Sequence, residues 1–570
     1  MVLLNKGCAD MLTNVKEKVN FLDVVFLLSV VLIGGFNEYI SCIISCILSI
    51  YFFLKLLSKK EIYIKKNLVS VSILVISLFY GLTCFWAIDS GMAFIGFLKF
   101  LPISLYAVLL WQEEDKTKVL EFLPYFAVVL VVLSTIGAQI NILSDFFVVA
   151  GRFSGFFQYP NTFALFLLIC ELLILKKIRL KIIDYISVCI LIGGLLYTGS
   201  RTVFILFFIS NFLMVLIITN KKTRFAILLL AFFLMVSIAT IIFLFRDNAI
   251  ISRYLNIGFG ASTFVGRILY FLDALPLLIK HPFGMGYMGY FYIQNSIQTG
   301  IYNITYVHND FLQFFLDIGI IPALLFIVSV ILFFFKKSVA LADKLVVATF
   351  CLHNLFDFNL QFIAMFFLFI LLTDTKESKL VILNNGKITK PIAILVFVVN
   401  IFMAVSLILA HFGLNEIASR IYPYNTRSNL SMLEEESDLN QANKLADHIL
   451  KQNDTYFAPY SVKAKYSYST GDFLGVITNK NMVFSRYPFK YTEYKEYCVM
   501  LINGIAIFER QGDDQSALIC KKEILSTYAK LEANKTRLSK LGSKIDEQPV
   551  LEFSSNVAQY IEQLLKEQVE

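Results

Sequence analysis

Long apolar runs separated by short polar breaks fill the first roughly 410 residues of the chain. A spanning helix needs about 20 apolar residues. Candidate spans begin near Phe21, Tyr39, Leu68, Gly91, Val119, Asn161, Ile182, Thr202, Phe225 and Phe311. The run from Leu345 to Leu372 is too long for one helix and is interrupted at Asp357–Asn359, so it reads as two short segments. A last span runs from Pro391 to Ala410, which brings the total to about 12 or 13. Beyond it the apolar runs stop, and Lys, Glu, Asn and Tyr take over. The pattern predicts an all-α, polytopic membrane bundle followed by a soluble helical domain.

Charge gives these spans a direction. Lys59 and Lys60, Lys65 and Lys66, Lys116 and Lys118, Lys176 to Lys181, Lys221 to Arg224, and Lys336 and Lys337 fall in alternate loops. Basic loops stay in the cytoplasm, so residues 1–20 are expected there too. Reading 345–372 as two segments puts Lys376, Lys379, Lys387 and Lys390 on the same side, whereas one segment would break the rule. The domain after residue 411 is then extracytoplasmic. The net charge of +8 is spread over these loops and reads as topology rather than nucleic-acid binding. The nine cysteines lie mostly in apolar runs, with no metal-ligand spacing.

Most of the opposite loops are short, but 141–160 and 246–310 are not, and loops of that length are usually functional or disordered. Within the second, Phe264, Ile268, Phe271, Leu275 and Leu278 have helical spacing behind Ser262, a candidate N-cap. This helix is expected to lie on, or dip into, the outer leaflet. In the C-terminal part, Leu439/Phe473, Ala442/Val476, Ile449/Val483 and Leu450/Phe484 match at an offset of about 34 residues, the period of tetratricopeptide-like helix pairs. Such arrays usually bind partners.

The candidate chemistry sits at the outer ends of spans. Thr305 to Pro322 closes the long loop and is expected to open a spanning helix at Phe311, with His308, Asn309, Asp310 and Asp317 at its mouth. Charged side chains cost about 2.5 to 3.5 kcal/mol each in a span, so their clustering there points to function. Arg152, Arg201 and Arg267 lie on the wrong side for the charge rule. A guanidinium stays charged and presents a planar fork that suits phosphate; its plainer use is to anchor a helix end at the headgroups. An imidazole titrates near pH 6.5 in model peptides, so neutral His308 is a candidate base, with Asp310 or Asp317 to orient it. Asn309 and Gln313, one turn apart, suit sugar hydroxyls; as plain structure they cap and pack. Lys99 and Glu171 lie mid-span at similar depth and are expected to pair. His353 reads as an interhelical hydrogen bond.

These motifs resemble the O-antigen ligase/polymerase superfamily of bacterial membrane glycosyltransferases. The likeness rests on Arg152 and Gly155 with Pro160 and Asn161, on Ser200-Arg201-Thr202, and on Gly266-Arg267 through Pro282 and Gly286 to His308-Asn309-Asp310 with Gln313 and Gly319. It covers roughly residues 20–410. It implies a GT-C-like glycosyltransferase domain over 21–411, with a large extracytoplasmic loop at 246–310 and an extracytoplasmic, tetratricopeptide-like domain over 412–570, in the bacterial cytoplasmic membrane. It implies a polyprenyl-diphosphate-linked glycan donor and transfer to an acceptor hydroxyl of a glycan or lipid, with inversion and with no metal or cofactor. On that likeness Arg201 and Arg267, with Arg152, bind the diphosphate. Arg152 and Asn161 shape the donor site, His308 activates the acceptor, and Asn309, Asp310 and Gln313 meet glycan or acceptor. Polymerisation of polysaccharide repeat units is the favoured version, and ligation of a finished glycan to lipid, wall polymer or protein is the alternative. A flippase would show half-to-half repeats, which are not visible. A scaffold would leave the arginine–histidine set unexplained. Other polysaccharide-assembly proteins are the expected partners of the C-terminal domain.

Overall fold

The computed structural model describes residues 20–58, 61–113, 118–218, 249–255, 262–374, 380–384, 386–545 and 555–569, with isolated positions 224, 225, 227, 258, 552 and 553. The N-terminal stretch and the span expected near Phe225 lie outside them.

The first helices are α1 (Phe21–Val31), α2 (Glu38–Ser58), α3 (Leu68–Leu82), α4 (Ser90–Leu110) and α5 (Val119–Gly137). A short α6 (Asn141–Phe147) and a hairpin of β2 (Val148–Val149) and β3 (Arg152–Phe153) lead to α7 (Pro160–Leu175), α8 (Ile182–Tyr197) and α9 (Arg201–Ile217). The long loop holds α10 (Ala249–Leu255), α11 (Ser262–Lys280) and α12 (Gly289–Ile297). Next come α13 (Asp310–Ile318), α14 (Ile320–Phe334), α15 (Leu341–Asn354), α16 (Ile363–Thr373) and α17 (Gly386–His411). Strand β1 (Glu61–Lys65) pairs antiparallel with β4 (Leu380–Asn384). Among the described residues, six helices are long and apolar enough to cross a membrane and six more are shorter and apolar. The chain is an all-α polytopic membrane protein.

Local signals set the helix ends. Asn20 and Asp23 form a reciprocal capping box on α1, and Asp89 accepts from Met92 N–H to cap α4 at 2.9 Å. The run 345–372 is split as expected, with a turn at 355–362 between α15 and α16.

The basic loops share a face. β1 and β4 join the loops after α2 and α16, and Lys65 pairs with Asp374 beside them. Gln112 Oε1 accepts from Tyr63 N–H at 2.9 Å. Lys176 meets Asp343 at 2.7 Å. The other face gathers the long loop and the C-terminal helices.

One expected span is broken. The helix expected to run on from Phe311 stops at Ile318 and restarts at Ile320, because Gly319 adopts φ 91° and ψ 177°. The segment Pro282–Gly286 lies against the break. Met285 N–H donates to Leu316 O at 2.7 Å, Gly286 N–H to Asp317 O at 2.9 Å, and Ile320 N–H to Pro282 O at 2.9 Å. The backbones touch so closely that a Cβ on Gly319 would lie 2.5 Å from the Phe283 carbonyl carbon. Helix α11 therefore ends against this break and beside the loop between α3 and α4, where Trp86 Nε1 donates to Phe283 O and Ile88 N–H to Met285 O, each at 3.0 Å.

The C-terminal helices are α18 (Asn415–Ile421), α19 (Thr426–Glu435), α20 (Leu439–Gln452), α21 (Ala458–Ser469), α22 (Phe473–Arg486), α23 (Tyr491–Gln511), α24 (Asp514–Arg537) and α25 (Ser555–Val569). Asp438 and Asp472 cap α20 and α22, so the offset seen in the sequence corresponds to successive helix pairs. These helices rest on the mouth of the bundle. Arg427 meets Glu38 at 3.3 Å, Asn453 Nδ2 donates to Asp89 at 3.2 Å, and Tyr422 OH donates to Gly91 O at 3.0 Å. Ser539 N–H donates to Thr299 O at 2.8 Å, and Arg537 donates to Ser296 O.

Gly319→Ala is expected to cost at least about 2 kcal/mol, from a side chain forced into backbone and a strained φ, read as a lower unfolding midpoint in detergent. Cysteines introduced at Ile178 and Lys522 should react with an impermeant maleimide from opposite sides of the membrane, scored against the unsubstituted chain.

Candidate functional site

The site is built around Asp357, in the turn between α15 and α16. Its side chain is fully buried, and five donors converge on it. Tyr159 OH and Phe358 N–H donate to Oδ1 at 2.8 and 3.0 Å. Asn161 Nδ2 donates to Oδ2 at 2.7 Å. Arg267 Nη2 lies 3.1 Å from Oδ2, and His308 Nδ1 lies 3.3 Å from Oδ1. Burial acts to raise the Asp357 pKa, but Arg267 and His308 outweigh it and hold the carboxyl well below its usual range.

Each partner arrives for a local reason. Pro160 starts α7 in its first turn and points Tyr159 and Asn161 toward Asp357. Arg267 projects from the second turn of α11, where its Nη1 also reaches Thr202 Oγ1 at 3.4 Å. His308 sits just before α13 with φ 55°, a left-handed conformation that costs about 1 kcal/mol or more outside glycine. Phe358 packs edge-on to the imidazole, with ring centroids 5.0 Å apart. A proton on Nδ1 satisfies Asp357, and the imidazole remains about one-fifth exposed.

The remaining arginines line the same rim. Arg152 donates from Nη2 to Asn161 Oδ1 at 2.7 Å and from Nε to Thr198 O at 3.0 Å. Burial and the neighbouring Arg253 push its pKa down to about 10. Arg201 Nε donates to Arg253 O at 2.8 Å. The structure thus brings together Arg152, Asn161, Arg201, Arg267 and His308, which lie far apart in the sequence.

The other expected site residues act as braces. Asn309 caps α13 by accepting from Leu312 N–H at 3.0 Å. Gln313 accepts from Val307 N–H at 2.9 Å and donates to Asp317 at 2.8 Å. Asp310 is buried and accepts from Leu360 N–H at 2.9 Å, so it fixes the turn that carries Asp357. Neither Asp310 nor Asp317 orients His308: Asp317 instead accepts from Tyr80 OH at 2.8 Å, and the imidazole takes Asp357. Lys99 and Glu171 do not pair either. Lys99 Nζ donates to Tyr306 OH at 3.0 Å and Tyr287 OH at 3.2 Å, in a cage closed by the ring of Phe36. Glu171 takes Asn211 Nδ2 at 3.3 Å. His353 does not bond between helices as expected: its Nδ1 takes Asn359 Nδ2 of the following turn at 2.8 Å, and its Nε2 is buried with no partner among the described residues. Asp357 and Arg253 were not singled out from sequence. The signal for Asp357 was its place as an acidic break inside an apolar run.

Residues 186–327 match the family model described as O-antigen ligase. The matched segment includes Arg201, Arg253, Arg267 and His308, while Arg152, Asn161 and Asp357 lie outside it. Comparison with curated proteins and with solved structures finds no similar protein.

Asp357→Asn keeps the shape but removes the charge that Arg267 and His308 face. It is expected to cost on the order of 3 kcal/mol at neutral pH. Because the native carboxyl pKa is depressed, its contribution is full above the unfolded value of about 4 and is lost as pH falls below it. Unfolding midpoints of the parent and Asp357→Asn should therefore differ most above about pH 4 and converge in acid.

Proposed function

We propose, from the match of residues 186–327 to the O-antigen ligase family model, that the chain transfers a polyprenyl-diphosphate-linked glycan to an acceptor hydroxyl, and that it polymerises polysaccharide repeat units. A multi-pass glycan-transfer enzyme of the ligase/polymerase type is the general activity that this match supports. The observation behind the mechanism is His308, held through Nδ1 by the same buried carboxylate that Arg267 meets.

On this reading His308 Nε2 takes the proton of the acceptor hydroxyl as its oxygen attacks the anomeric carbon. The carbon–oxygen bond to the diphosphate breaks on the opposite face, so the linkage inverts. The polyprenyl diphosphate leaves with the bond's electron pair, and Arg201 and Arg267 stabilise the charge that develops. Asp357 stays ionised and steadies the imidazolium, much as a buried carboxylate orients the histidine of a triad. Arg152 and Asn161 form the donor-side wall. Asn309, Asp310 and Gln313 serve by shaping the loop that presents His308.

The face bearing the site is the outer face of the cytoplasmic membrane, a reading supported by the basic residues of the opposite loops. Residues 21–411 form the membrane domain. Residues 412–570 form an extracytoplasmic, tetratricopeptide-like domain that other polysaccharide-assembly proteins dock on.

His308→Ala and Arg267→Ala are each expected to lower glycan transfer by at least about 100-fold while the protein still inserts. Near-normal turnover by His308→Ala would remove the base assignment. In cells lacking the gene, single repeat units left on the lipid would mark a polymerase. Long chains accumulating on the lipid would mark a ligase instead.

A further inference from the structure

A polar chain reaches the loop that presents His308 from the C-terminal helices. Lys99, Tyr287 and Tyr306 are all buried. Lys99 Nζ, on α4, donates to Tyr306 OH at 3.0 Å and to Tyr287 OH at 3.2 Å. Tyr287 OH lies 2.6 Å from Glu38 Oε1, at the start of α2, and 2.9 Å from Tyr306 OH. Arg427 Nη1, from α19, lies 3.3 Å from the same Glu38 oxygen, and its Nη2 reaches Met288 Sδ, next to Tyr287, at 3.5 Å.

Proton counting gives this chain one direction. A phenol has a single O–H, an ammonium only donates and a carboxylate only accepts. Tyr287 therefore spends its proton on Glu38, and Tyr306 is the donor where the two phenols meet. The order is Lys99 to Tyr306, Tyr306 to Tyr287, Tyr287 to Glu38, with Arg427 closing on Glu38. Neither hydroxyl can turn without breaking a bond to a buried neighbour, so the network fixes both rings.

Tyr306 carries this order to the site. It stands two residues before His308, and its ring centroid is 5.1 Å from that of Phe358. Phe358 in turn packs on the imidazole at 5.0 Å. Phe36, two residues before Glu38, lies edge-on to Tyr306 at 6.1 Å and under Lys99 Nζ at 4.8 Å. Asp357 holds the imidazole at one nitrogen only. The left-handed backbone at His308 persists only where its surroundings over-determine it. The stack of Tyr306 and Phe358 supplies that second support.

We propose that Arg427, Glu38, Tyr287 and Tyr306 are positioning residues for His308, through which the C-terminal helices hold the base in line. The C-terminal domain is then a working part of the transferase as well as a docking module. This inference rests on the function proposed above.

Arg427 is half-exposed, so its ion pair with Glu38 contributes little to stability, and its effect on turnover can be read apart from folding. The test uses the full chain in nanodiscs, with polyprenyl-linked glycan extracted from cells lacking the gene as donor. Arg427→Gln should lower kcat at least about tenfold, since a shift of about 1 Å at a catalytic group costs up to about 100-fold. The KM for that donor should stay within about twofold, because a base acts in the transition state and the donor arginines sit on other elements. Arg427→Lys keeps a cation on Glu38 and should recover part of the loss. Tyr306→Phe keeps the ring on Phe358 but removes the hydroxyl, and should also lower kcat without raising KM. Arg420→Gln breaks an exposed pair with Glu416 inside α18 and should leave kcat unchanged. A mere tether would lower the unfolding midpoint and leave kcat as it is. If Arg427→Gln and Tyr306→Phe keep the parental kcat while His308→Ala is inactive, the positioning assignment falls and the proposed function stands. A loss carried by KM alone would also overturn it. If the parent transfers no glycan from this donor, the proposed function falls and takes this inference with it.

Discussion

A carboxylate sealed from water sets the terms for this site. An isolated ionised group in a protein interior is strongly disfavoured, so Asp357 persists only because five donors reach it. Those donors come from the start of α7, from α11, from the chain just before α13 and from the turn itself. No two neighbouring elements in sequence could supply them all. The demand for charge compensation thus gathers distant segments to one point, and it fixes the tautomer and direction of His308 at the same time. The irregular backbone from 355 to 362 is tolerated because protein groups satisfy it. Leu360 N–H finds Asp310, and Asn359 bridges Thr162 and His353.

Other buried polar groups of the bundle follow the same rule with different partners. Lys99 takes phenol oxygens and ring faces, Asp317 takes Tyr80 and Gln313, and Glu38 takes Tyr287 OH at 2.6 Å and Arg427. The Glu38 contact crosses from the bundle to the C-terminal helices. Polar residues here fix how α3, α4, α13 and the outer loops sit against one another, a role that apolar packing performs poorly among helices surrounded by lipid.

Much of this was legible in the sequence, because span length, the positive-inside pattern and helix caps are local or additive signals. The split of 345–372 followed from its length, its polar break and the charge of the next loop, and the arginines and His308 stood out as charges on the face opposite the basic loops. Pairing was not legible. Depth along a span suggested Lys99 with Glu171, but rotation about each helix axis decides who meets whom, and the aromatic cage took the lysine. Proximity in sequence suggested Asp310 or Asp317 for His308, yet a residue about 50 positions away supplied the carboxylate. The break at Gly319 depends on the approach of Pro282–Gly286, a tertiary contact with no local mark beyond the glycines themselves. Arg253 carries no local mark in the sequence that sets it apart from other basic residues.

The contact between the C-terminal segment and the long loop has a consequence for how the molecule is made. Asp273, on the same helix as Arg267, holds Thr299 through its backbone and hydroxyl at 2.9 and 2.8 Å, and Thr299 in turn holds Ser539. Ile545 packs beside Val265 and Leu269 on that helix. A ribosome builds the arginine helix well before it reaches the strap that secures it, and the interval is long enough for the bundle to insert and pack. The helix that carries Arg267 is therefore the last part of the molecule to be locked, and a nascent chain stopped before residue 537 would carry a bundle in which that helix has lost its clasp.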